Sequence, residues 1–63
     1  MKVGENIKKR REELDMSQSV LAKKVHVNPS LICRIEKDKK TPSLPLLEEI
    51  ADALECSVGS IFS

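Results

Sequence analysis

Sixty-three residues suffice for one small domain and leave no room for a second hydrophobic core. With 40% hydrophobic and 33% charged residues, the chain can bury a core and lacks the bias of a disordered segment. The net charge of +1 hides a segregation: residues 1–40 carry all eleven Lys and Arg against six acids, a balance of +5, while residues 41–63 hold four acids and no base. That polarity suits a basic face for an anionic partner, although an ordinary solvated surface also produces it.

No apolar run is long enough to cross a bilayer, and the N-terminus lacks the apolar core of a secretion signal, so a single cytoplasmic domain over residues 1–63 is expected. Without an oxidising compartment, Cys33 and Cys56 are expected as free thiols.

Val3, Ile7, Arg11 and Leu14 share one helical face, which predicts a first helix over about residues 3–14. Ser17 can cap a short second helix whose inward face is Leu21, Ala22 and Val25. Asn28 can cap a third, and Pro29 suits its first position, where the amide that proline lacks would have no intrahelical partner. Val27 and Ile32 have the spacing of a hydrophobic staple across that cap. Along the third helix, over about residues 28–37, Leu31, Ile32 and Ile35 turn inward while Ser30, Cys33, Arg34 and Lys37 turn outward. Ser43 caps a fourth helix on which Leu47, Ile50, Ala51 and Leu54 repeat at helical spacing, with Pro45 tolerated at its second position. Ser57 caps a last turn in which Val58, Ile61 and Phe62 are expected to close the core, with Cys56 filling space beside it. No strand pattern or repeat appears, so the fold class is all-α with five helices.

The composition argues against several chemistries. There is no nucleophile beside a matched base, no glycine-rich phosphate loop and no cluster of acids, so an enzyme is not expected. The single histidine, His26, and the two cysteines lack the spacing of a structural zinc site, and no metal, cofactor or small-molecule ligand is expected. Single-stranded nucleic acid usually stacks on aromatic side chains, and Phe62 is the only aromatic. A tight helical pair whose second member exposes small and basic residues can enter the major groove of duplex DNA.

The run SQSVLAKKVHVNPSLICRIEKDKKTPSLPLLEEIADAL resembles the helix-turn-helix of the Xre-like and lambdoid phage repressor (Cro/C1-type) family. The matching features are Ser17-Gln18, Leu21-Ala22, the run ending in Ile35-Glu36, Pro42-Ser43, and Ile50-Ala51 with Leu54. The resemblance covers nearly the whole chain and implies a five-helix, lambda-repressor-like DNA-binding domain acting as a transcriptional regulator, as a homodimer on a two-fold operator. It implies base contacts from Pro29, Ser30, Cys33 and Arg34, and phosphate contacts from Gln18, Ser19, Lys37, Lys39 and Lys40. Arg34 is the strongest candidate for base reading, because a guanidinium bonds bidentately to guanine O6 and N7; phosphate contact or solvation is its alternative. Arg11 and Glu36 are implied as a partly buried structural ion pair joining the first and third helices.

Where resembling sequences commonly have glycine at helix ends, this chain has Asp15, His26, Asp38 and Glu55. Glycine serves there because it enters the left-handed conformation without a Cβ penalty. An alternative function is a protein-interaction module, such as an antitoxin or adaptor, on the same scaffold. The sequence contains no evident dimerisation tail or effector-binding segment; Val58, Ile61 and Phe62 are the expected place for any self-association.

Overall fold

The computed structural model describes residues 2–62. Five helices follow in order: α1 Val3–Glu13, α2 Gln18–Lys24, α3 Pro29–Glu36, α4 Leu44–Ala53 and α5 Val58–Phe62. Each of the last four is started by a polar side chain in front of it. Ser17 Oγ accepts from Val20 N (3.1 Å), Asn28 Oδ1 from Ser30 N (2.9 Å), Ser43 Oγ from Leu46 N (3.3 Å) and Ser57 Oγ from Ser60 N (3.2 Å). These bonds satisfy amides that have no partner inside the helix. Pro29 and Pro45 sit in the first turns of α3 and α4, where a missing amide costs little.

The first four helices stop in one way. Asp15, His26, Asp38 and Glu55 have φ of 54°, 59°, 57° and 56°, all left-handed. In each case the left-handed residue donates to the carbonyl three back, and its successor donates to the carbonyl five back. His26 N reaches Lys23 O at 3.3 Å and Val27 N reaches Ala22 O at 3.0 Å; Met16 N to Arg11 O, Lys39 N to Arg34 O and Cys56 N to Ala51 O repeat the second bond. This is the Schellman ending, built here four times without a glycine.

The core joins Ile7 of α1, Leu21, Ala22 and Val25 at α2, Ile32 and Ile35 of α3, Leu47, Ile50, Ala51 and Leu54 at α4, and Ile61 of α5. Fully burying an aliphatic side chain of this size contributes about 1.5–3 kcal/mol. The core therefore holds α3 by its inner side against α1 and α2 and leaves its outer side to solvent. Phe62 departs from expectation: it is 40% exposed rather than closing the core. In a five-residue helix only one stripe can face inward, and Ile61 occupies it. Among the described residues, no helix is long and apolar enough to cross a membrane.

Candidate nucleic-acid interface

The α2-turn-α3 unit turns over three residues. Val25 and Val27 anchor the turn in the core, and His26, exposed and left-handed, reverses the chain between them. Asn28 then sets the start of α3, accepting from both the amide of Ser30 and its hydroxyl, the latter at 2.7 Å. That second bond uses the only hydroxyl hydrogen of Ser30. Its oxygen is left as an acceptor, suited to an exocyclic amine of adenine or cytosine.

Pro29, Ser30, Arg34 and Lys37 are exposed on the outer side of α3, and Cys33 is half-buried among them. Among the described residues, no side-chain hydrogen bond or ion pair engages Arg34, so its five donors are available to a ligand. Lys39 and Lys40 are exposed in the loop that follows, and Ser19 is exposed in the first turn of α2. The residues expected at bases thus share one helical face, while those expected at phosphates lie at the start of α2 and beyond the end of α3.

Behind this face, Glu36 is buried at 6% exposure and bound from two helices. Arg11 of α1 donates through Nε to Oε2 (2.7 Å) and through Nη2 to Oε1 (3.0 Å), and its Nη1 donates to Met16 O (2.7 Å). Gln18, at the start of α2, donates Nε2 to the same Oε1 at 3.0 Å. The hydrogen bond to Glu36 raises the Arg11 pKa above its ordinary value, against the opposing effect of burial. Among the described residues, no buried side-chain nitrogen or oxygen lacks a partner. A desolvated ion pair is offset only by good geometry and further hydrogen bonds, and here the bidentate contact is joined by bonds to Met16 O and from Gln18.

The expected pairing of Arg11 with Glu36 is therefore present. The geometry adds a part for Gln18 that spacing did not suggest: half-buried, it ties α2 to the pair, and its second Nε2 hydrogen remains as a donor.

Sequence reasoning missed the role of α1 as a strut. Asn6 donates Nδ2 to Ile61 O at 2.7 Å, and Arg10 donates Nε to Leu54 O at 2.9 Å, so α1 binds α5 and the end of α4. At its start Gly4 packs directly on the end of α3: a Cβ there would fall 2.6 Å from Glu36 O and closer still to Ile35 O. Gly4 N also donates to Asp38 Oδ1 at 3.0 Å. A lone glycine inside a helical pattern is the one signal that could have announced this close approach. Among the described residues, no group of three or more His, Cys, Asp or Glu is placed to hold a metal ion.

The family described as Helix-turn-helix matches residues 7–61. Over 61 residues the chain is 41% identical to the immunity repressor protein of Bacillus phage phi105, covering 97% of this chain but only 42% of that repressor. Among solved structures, SinR, a master regulator for biofilm formation, in complex with DNA superposes with a TM-score of 0.90 at 35% identity, covering 97% of this chain and 98% of that one. The P22 c2 repressor in complex with a synthetic operator superposes with a TM-score of 0.91 at 31% identity, covering 97% and 92%. The five-helix fold is thus shared with DNA-bound regulators of known structure, and the chain belongs to the helix-turn-helix family of Xre-like phage repressors.

Proposed function

We propose that the chain is a sequence-specific, double-stranded DNA-binding transcriptional regulator, acting as a repressor in the cytoplasm and binding as a homodimer, with α3 in the major groove. The observation that carries this reading is the outer side of α3, where Ser30 offers an oriented acceptor and Arg34 an unengaged guanidinium, backed by a buried and hydrogen-bonded inner side. Relatives of the same fold solved with DNA support it. In this reading Pro29, Ser30, Cys33 and Arg34 meet base edges, and Gln18, Ser19, Lys37, Lys39 and Lys40 meet phosphates. No catalytic step and no cofactor are assigned.

The test has two stages. Binding of random duplex DNA should weaken steeply as salt rises, because each neutralised phosphate releases counterions. No binding even at low salt would sink the reading. Selection of bound duplexes from a random pool should then yield a preferred site, on which Arg34→Ala costs about 1–3 kcal/mol and relaxes preference at one base pair. An equal loss on all sequences would instead assign Arg34 to a phosphate.

A further inference from the structure

We propose that Asp38 is a positioning residue for DNA binding: its carboxylate fastens the end of the recognition helix α3 to the start of α1 and thereby fixes the lysine loop. The inference rests on the DNA-binding reading above. Three observations converge on it. First, α1 has no cap of its own, since the residue in front of it is Lys2 and makes no side-chain cap bond. The Gly4 amide, in the first turn, is one of the donors that a helix leaves without an internal partner. Second, that amide is satisfied from 34 residues away, by Asp38 Oδ1 at 3.0 Å. A carboxylate there also meets the positive end of the α1 dipole. Third, Gly4 lies against the carbonyls of Ile35 and Glu36, so α1 meets the last turn of α3 at backbone contact.

Asp38 holds this place in the left-handed conformation, at φ 57°, where glycine would be easier. It is followed by Lys39 and Lys40, and Lys39 N is itself bound to Arg34 O at 2.9 Å. The cross-helix bond therefore sets where the two lysines leave α3. Against it stands a charge effect, since a carboxylate beside a phosphate-facing loop repels DNA. Loss of the charge alone should tighten binding, so the useful comparison is between two neutral variants.

Asp38→Asn keeps an Oδ1 acceptor and tolerates the left-handed backbone; Asp38→Gly loses the acceptor and relieves the backbone. Neither should unfold the chain, which melting curves check. With the selected operator at fixed salt, Asp38→Asn should bind at least as tightly as the parent, and Asp38→Gly about fivefold more weakly than Asp38→Asn, the size of one neutral hydrogen bond. Hydrogen exchange should find the Gly4 amide protected in the Asn variant and open in the Gly variant. Asp38→Gly binding as tightly as Asp38→Asn overturns the proposal. A parent chain that binds no duplex overturns the DNA reading and the positioning role together, and is told apart because no variant then differs from it.

Discussion

At the scale of single residues, the unusual feature is four helix endings that use the left-handed conformation without glycine. That conformation costs an ordinary L-residue about 1–2 kcal/mol, less for Asp, Asn and His, whose occurrence there is enriched. Glycine avoids that strain but gives back part of the gain, because it loses more conformational entropy on folding. Of the four residues, Glu55 has the least to offset the strain, its backbone carbonyl being what Arg10 binds. His26 is exposed, and Asp38 is compensated by its bond to Gly4. Glu55→Gly should therefore stabilise by about 1 kcal/mol, a rise of about 4–8 °C in Tm for a domain of this size. His26→Gly should raise Tm less, and Asp38→Gly least. Thermal unfolding of the three variants checks the order; a fall in Tm for Glu55→Gly would contradict it. These positions were legible through the family resemblance, as the helix ends where resembling sequences commonly have glycine. The bond that Asp38 makes was not, since nothing local indicates which distant amide a carboxylate will find.

At the scale of elements, α2, α3 and α4 were readable because cap and apolar period agree in each, with a first-turn proline added in α3 and α4. Ser17, Asn28 and Ser43 cap where expected. For α1 the apolar stripe was visible but its function as a strut was not, because two of its links end on the backbone carbonyls of Ile61 and Leu54 and a third joins its own Gly4 amide to the distant carboxylate of Asp38. The C-terminal turn misled through Phe62: an apolar residue at helical spacing is ordinarily core, yet α5 is too short to bury two adjacent positions. Phe62 instead lines a groove with Val3, Pro42 and Leu47. The two glycines give a paired test of how closely the elements approach. In a helix, Gly→Ala normally stabilises by about 0.5–1 kcal/mol. Gly59→Ala should follow that rule, since the nearest atom to the new methyl is Ser57 Oγ at 3.8 Å. Gly4→Ala should reverse it and destabilise by about 1–3 kcal/mol, because backbone carbonyls, which cannot swing aside, occupy the space. Denaturant unfolding of both variants measures the difference; equal effects would mean that α1 can withdraw from α3 without loss.

At the scale of the whole molecule, the segregation of charge along the chain becomes a partial division between surfaces. Arg34, Lys37, Lys39 and Lys40 are exposed along α3 and the loop after it, whereas Glu48, Glu49 and Asp52 are exposed on α4, where Lys24 of α2 lies beside Glu49 and Asp52. One eight-residue α3 can meet only a few base pairs, so its discrimination against the many competing sites in a genome is small unless a second copy adds its own. The protomer spans only 24 × 23 × 19 Å, so two copies fit side by side with recognition helices about 34 Å apart, one turn of DNA. The proposed homodimer therefore predicts how affinity depends on geometry. A duplex with two inverted half-sites centred about 10 base pairs apart should bind far more tightly than one half-site alone. Inserting about five base pairs between the half-sites puts the second on the opposite face of the duplex and should remove the gain. Fluorescence anisotropy with the three duplexes at one salt concentration reads this directly. If the shifted duplex binds as well as the phased one, the two copies act independently, and specificity must come from a single α3 and the DNA shape it selects.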